Sequence, residues 1–171
     1  MNATLTLTVG FPGSGKSTFL EDKGNPEACR QLGSGIVLCP DDYRRALTGQ
    51  EYYAPAEDFV WGAVKLTANV LLRQGKQIFI DATHLTKGSR KQWLAIAQNL
   101  GVPIKCICIN ESFYTCCERN NARDKIVPQA VMDRMRNSFD PPTYEEGFAE
   151  ICKTQPLFSV VPEDQETPFW G

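Results

Sequence analysis

The sequence predicts an α/β protein, a parallel sheet with helices on both faces, and three observations predict it. Short apolar segments rich in β-branched residues alternate with longer amphipathic ones along the chain. Two of the short segments, QIFI (77–80) and PIKCICI (103–109), are apolar enough to be buried on both sides, as strands of parallel sheets are. A glycine-rich stretch, GFPGSGKST (10–18), joins the first strand to a helix. In such sheets ligands bind beyond the carboxyl ends of the strands.

The elements follow in order. TLTLTV (4–9) is the first strand, alternating and β-branched. IVLC (36–39) is the second, and PDDYRRAL behind it starts a helix running through Leu47. From 55 to 74, Phe59, Val60, Ala63, Val64, Ala68, Leu71 and Leu72 share one helical face. Pro55 suits its first turn, Glu57 and Asp58 its positive start, and Gly75 its exit. QIFI is the third strand. SRKQWLAIAQNLG (89–101) repeats the helical pattern with Trp93, Leu94, Ala97 and Leu100, and Gly101 ends it. PIKCICI is the fourth strand. SFYTCCERNNARD (112–124) and PQAVMDRMRN (128–137) are two further helices, interrupted at Val127 and Pro128, and EICKT (150–154) is a last short strand. The whole chain, 1–171, reads as one domain with a lid at about 112–136 and an irregular tail at about 156–171. The tail's Phe158, Phe169 and Trp170 are expected to pack on the body.

A net charge of −2 argues against a protein that coats long stretches of nucleic acid, but it leaves room for a basic pocket that grips one strand end. No apolar run reaches the roughly 20 residues of a membrane span, and MNATLTLTVGFPG has no charged leader. The seven cysteines form no CxxC pair, so reduced thiols, rather than a disulfide or zinc framework, are expected. The expected location is cytoplasmic, away from any membrane.

GFPGSGKST satisfies G-x-x-x-x-G-K-[ST] between a strand and a helix, the context that gives this motif its meaning. Glycines at 10, 13 and 15 let backbone N–H groups turn inward around phosphate oxygens. Gly13, Ser14, Gly15, Lys16, Ser17 and Thr18 line that cradle, with Lys16 facing the β- and γ-phosphates and Ser17 offering its hydroxyl to Mg²⁺. The ligand is a nucleoside triphosphate, with Mg²⁺ at the Ser17 hydroxyl.

QIFIDATH places Asp81 at a strand end, where it can hold the metal through water. Ala82 follows it, where motor-type ATPases carry a water-activating Glu, and no N-K-x-D guanine motif exists. Transfer of the γ-phosphate to another molecule remains, and it needs a base near the acceptor hydroxyl and cations for the moving phosphoryl group. Asp41 and Asp42, past the end of IVLC, supply carboxylates; Asp41 caps the following helix, acts as the base, or does both. Arg119 and Arg123, four residues apart, share a face of one helix and close over a triphosphate; their alternative is a solvated face paired with Glu118 and Asp124.

TLTVGFPGSGKST, PDDYR, IDATHLTKGSRKQW and CERNNARDKIVPQAVMDRM together resemble the 5′-hydroxyl polynucleotide kinases, their bacteriophage member's kinase domain included, over about residues 1–139. PPTYEEGFAEI extends the likeness to about residue 151. The resemblance implies a P-loop kinase fold, adenylate-kinase-like with an arginine-bearing lid. It also implies transfer of the γ-phosphate of ATP to 5′-hydroxyl ends of DNA or RNA in nucleic-acid repair. It gives Asp41 the role of general base and Arg44 the phosphate on the 3′ side of the acceptor nucleotide. Lys16 and Arg123 stabilise the triphosphate, Ser17 binds magnesium, and Asp81 and Thr83 belong to a loop beside the acceptor. The D-x-D-x-T motif of the family's phosphatase domain is absent, which implies a kinase alone, and His84, the one histidine, stands where Asn is common and reads as cleft-lining or solvated.

Arg44, Arg45, Lys87, Arg90 and Lys91 are expected to form basic loops on the ligand-bearing rim. Two other readings stand beside the polynucleotide one. One is a related kinase acting on a hydroxymethylated base in DNA, a nucleoside or another small metabolite. The other is a non-catalytic nucleotide-binding subunit.

Overall fold

The computed structural model describes residues 3–22, 35–50 and 52–154; the expected tail and its aromatic residues lie outside the described residues. Alternation along β1 (Thr4–Val9) organises the molecule. Leu5, Leu7 and Val9 belong to the larger core, with Ile78, Ile80, Ile104, Cys106 and Cys108 of neighbouring strands. The opposite face carries a smaller core of Phe19, Leu20, Phe79, Ile107 and Ile109. Helices therefore cover both faces, as the apolar strands require.

The five strands are β1, β2 (Ile36–Leu38), β3 (Gln77–Ile80), β4 (Ile104–Cys108) and β5 (Glu150–Lys153), in the order β2-β3-β1-β4-β5 and all parallel. The register pairs Leu7 with Ile80 and Cys106, and Leu38 with Ile80, which brings the carboxyl ends of the inner strands to one rim. The helices are α1 (Lys16–Glu21), α2 (Pro40–Thr48), α3 (Glu57–Arg73), α4 (Lys87–Leu100), α5 (Phe113–Asn121) and α6 (Gln129–Asn137). Val64, Ala68 and Leu72 of α3, Trp93 and Ala97 of α4, Phe113 and Cys116 of α5 and Met132 of α6 pack into the larger core, while α1 covers the smaller one.

The structure corrects several local expectations. Phe59 is 65% exposed and is not part of the apolar face of α3. The N-cap of α2 is Cys39, no side chain caps it, and Asp41 and Asp42 lie in its first turn, so Asp41 is not the cap. Helix α5 ends at Asn121, before Arg123, because Asn120 turns its side chain onto Val127 (below) and closes a loop there. Arg90 is fully buried. It donates through Nε and NH2 to both oxygens of Glu146 at 2.8 Å, and through NH1 to the carbonyls of His84 and Asp140. It fastens α4 to the segment ahead of β5 and contributes nothing to a basic rim. Among the described residues, no helix is long and apolar enough to cross a membrane, and Cys39, Cys106, Cys108, Cys116, Cys117 and Cys152 are free thiols.

Candidate active site

The glycine-rich loop is held from both sides. The Gly10 amide donates to the Thr83 carbonyl at 3.1 Å, tying the loop to the segment after β3. Phe11 is buried against Phe113 and Phe139, with ring centroids 5.1 and 5.6 Å away, which ties the loop to α5 and to the end of α6. At Gly13, with φ of 81°, a Cβ would lie 2.3 Å from the Cys116 carbonyl oxygen and 3.1 Å from the Asn120 amide. No other residue fits there without moving α5. Gly15 takes the left-handed conformation that starts α1.

Lys16 is buried and folds over this loop, its Nζ donating to the Phe11 carbonyl at 2.8 Å and lying 3.5 Å from Ser14 Oγ. Burial pulls the ammonium down to a pKa of about 8, against the opposing pull of Asp81. Ser14 is buried, whereas Ser17 and Thr18 are exposed at the loop's open end. Ser17 Oγ donates to Asp81 Oδ2 at 2.6 Å, so a hydroxyl and a carboxylate from two different elements face the same point. Among the described residues no group of three or more His, Cys, Asp or Glu forms a metal cage. Hard oxygen donors this few suit Mg²⁺, which takes one or two protein oxygens and completes its shell with phosphates and water. Thr83 contributes its carbonyl to the loop rather than its hydroxyl. His84 is buried at 3% exposure, not solvated. Its φ of 43° turns the ring inward, where Nδ1 meets the Thr8 carbonyl at 2.9 Å, and burial holds its pKa down to about 4. Burial favours its neutral form, and its Nε2 has no hydrogen-bond partner among the described residues.

Across the rim, Arg44 of α2 grips Glu57 of α3 with two bonds of 2.7 Å, through Nε and NH2, and its NH1 pairs with Asp41. Its guanidinium also lies 5.9 Å from the Trp61 ring centroid. The other Asp41 oxygen pairs with Lys125 at 3.0 Å. Burial raises the Asp41 carboxyl, but Lys125 and Arg44 outweigh it and hold the group below its ordinary value. Asp42 is exposed and pairs with Arg45 of its own helix.

Arg119 and Arg123 do not share a helix face. Arg119 pairs with the buried Glu111 at 3.0 Å, and Arg123, past the end of α5, donates to Asn120 Oδ1 at 2.8 Å. Burial lowers the Arg123 pKa, and its Nε has no hydrogen-bond partner among the described residues. A half-buried guanidinium whose covered Nε has an unmet donor suits an anionic ligand such as a triphosphate. Asn120, fully buried, bonds the Val127 amide and carbonyl with its two side-chain atoms, and so fastens the segment expected as a lid. Glu57, Glu111, Asn120 and Lys125 were not legible as site residues. Each meets a partner brought close by folding, although the acid at the start of α3 marked Glu57's position.

A family model described as an AAA domain matches residues 5–142. The bifunctional polynucleotide phosphatase/kinase of Schizosaccharomyces pombe is 28% identical over 86% of this chain and 32% of its own length. A chain of the Pnkp1/Rnl/Hen1 RNA repair complex is similar with a TM-score of 0.66 at 20% identity, over 81% of this chain and 47% of that one. The Mycobacterium tuberculosis APS kinase CysC, solved with AMPPNP and APS, has a TM-score of 0.59 at 15% identity, over 89% of this chain and 88% of that one. The fold is thus the α/β P-loop kinase fold. The chain spans about a third of the length of the curated relative and under half of the repair-complex chain.

Proposed function

The chain belongs to the AAA-domain family of P-loop proteins, and from that premise we propose that it transfers the γ-phosphate of ATP to the 5′-hydroxyl end of DNA or RNA. The observation that carries this reading is the Asp41 carboxylate. It lies past the carboxyl end of β2, on the rim that holds Lys16, Ser17 and Asp81, flanked by Arg44 and Lys125. In this reading Asp41 takes the proton of the acceptor hydroxyl as its oxygen attacks the γ-phosphorus. Lys16 and Arg123 stabilise the charge on the transferring group, and Arg44 orients the acceptor through its neighbouring phosphate. Ser17, and Asp81 through water, would hold Mg²⁺, which would supply positive charge to the triphosphate. The polynucleotide kinase named in the Schizosaccharomyces pombe relative supports the acceptor class.

A second reading, a kinase for a hydroxymethylated base, a nucleoside or another small metabolite, draws on one specific observation. Arg44 already uses Nε and NH2 on Glu57, so an acceptor phosphate must share the guanidinium with that carboxylate. The similarity to a small-molecule kinase fits it as well. A non-catalytic nucleotide-binding subunit would leave Lys16, Ser17, Asp41 and Arg123 together without a purpose.

The test is a panel of acceptors with labelled ATP: DNA and RNA oligonucleotides with 5′-hydroxyl ends, hydroxymethylated duplex DNA, and nucleosides. Label on the 5′ ends supports the first reading. Label on nucleosides or the modified base alone supports the second, and no label on any acceptor the third.

A further inference from the structure

Lys125 has no role in the reading above, yet it makes the second ion pair of the carboxylate on which that reading turns. Its Nζ lies 3.0 Å from Asp41 Oδ2, while Arg44 takes Oδ1. Both side chains are 39% exposed, and an ion pair so exposed contributes little to folding stability.

The position of Lys125 is fixed by the residues that back the phosphate cradle. It stands in the segment between α5 and α6. That segment is closed by Asn120, whose Nδ2 donates to the Val127 carbonyl at 2.8 Å and whose Oδ1 accepts from the Val127 amide at 3.0 Å and from Arg123 at 2.8 Å. The backbone amide of the same Asn120, with the Cys116 carbonyl, lies against Gly13 of the cradle. A short path therefore runs from Gly13, packed against the Asn120 backbone, through the hydrogen bonds of Asn120 and the chain to Lys125 and its ion pair with Asp41. Arg123, expected on the triphosphate, is two residues from Lys125 on that path.

We propose that Lys125 is a positioning residue for Asp41, aiming and ionising its carboxylate from a loop built on the nucleotide cradle, so that base and phosphoryl donor are set together. This rests on Asp41 being the base. The charged and titratable groups that face Asp41 are Arg44 from α2, Lys125 and Arg123 from the loop, Lys16 from α1, Glu57 from α3 and Cys39 at the end of β2. Arg44 is shared with Glu57. Among the described residues Lys125 makes the other ion pair of Asp41, so its loss is felt by both the carboxylate's orientation and its titration.

The experiment compares the parent protein with Lys125→Met, which keeps length and removes charge, and Lys125→Arg, which restores charge. Two quantities are read: the titration of the Asp41 carboxyl carbon by NMR, and turnover on a 5′-hydroxyl oligonucleotide beside the Kd for ATP. Lys125→Met is expected to raise the Asp41 midpoint by about 0.5–1 pH unit and to lower kcat about tenfold, with the Kd for ATP within about twofold of the parent's. Lys125→Arg is expected to recover most of both. An unmoved Asp41 midpoint in Lys125→Met overturns the proposal, whatever happens to kcat, because a merely structural lysine would slow the protein without moving that titration. An unchanged kcat overturns it too. If the parent phosphorylates no 5′-hydroxyl end, the functional reading fails separately, and the titration still decides whether Lys125 governs Asp41.

Discussion

Ser17 Oγ donates to Asp81 Oδ2 at 2.6 Å, joining the start of α1 to the end of β3 across 64 residues of sequence. If the pair serves Mg²⁺, either change, Ser17→Ala or Asp81→Asn, raises the Mg²⁺ needed for half-maximal transfer, by about tenfold. Two groups acting on one ion are not additive, so the double variant should be little worse than the poorer single one. Activity titrated against MgCl₂ after chelation reads both effects. Independent, additive losses would mean that the two residues do not serve one ion.

Lys16 gives a pH-dependent signature. Its free-protein pKa of about 8 reflects burial, so at pH 8 about half of the molecules carry it neutral. Triphosphate oxygens favour the charged form and raise that pKa, so nucleotide binding takes up about half a proton at pH 8 and about a tenth at pH 7. Calorimetry in buffers of differing ionisation enthalpy measures the uptake, and Lys16→Met should abolish it along with transfer. Without a ligand the sign is the reverse of a stabilising pair. The folded pKa lies below the unfolded 10.5, so the unfolded chain binds more protons between about 8 and 10.5, and this group's contribution to stability rises with pH there.

Arg44 and Glu57 are both well covered, at 13% and 20% exposure, and each meets the other through two atoms. Arg44→Ala leaves Glu57 without that partner and should cost about 1–3 kcal/mol in urea unfolding. Adding Glu57→Ala should return part of the loss. In catalysis, Arg44→Ala should harm an oligonucleotide or a nucleoside 3′-monophosphate more than a plain nucleoside. Equal losses would favour the small-molecule reading.

Arg90 shows where sequence and structure part. The sheet was legible because Leu5, Leu7 and Val9 alternate with threonines and because QIFI and PIKCICI are apolar throughout; the cradle was legible because its glycines and Lys16 are contiguous. Arg90 looked like a rim cation, since the sequence near it carries Lys87 and Lys91 and its partner Glu146 is 56 residues away. Lys125 and Asn120 escaped notice for the same reason: their meaning lies in Asp41 and Val127, contacts that only folding creates. Phe59 misled because apolar spacing on a helix says which residues share a face, not how far the core extends around it.

The burial of Arg90 makes its own prediction. Arg90→Ala strands Glu146 and two carbonyls and should cost about 3–5 kcal/mol, with Lys91→Ala, an exposed neighbour, within about 0.5 kcal/mol of the parent. Urea unfolding of the two variants checks it.

The most direct test of the account pairs Asp41→Asn with Asp42→Asn and measures turnover on a 5′-hydroxyl oligonucleotide beside ATP affinity and Tm. Asparagine keeps the shape of each side chain and removes the proton acceptor. Asp41→Asn is predicted to lose about 10²–10⁴ in rate with ATP affinity and Tm near the parent's, while Asp42→Asn, whose carboxylate faces solvent and Arg45, keeps most activity. A dead Asp42→Asn, or an Asp41→Asn that transfers phosphate within threefold of the parent, would contradict it.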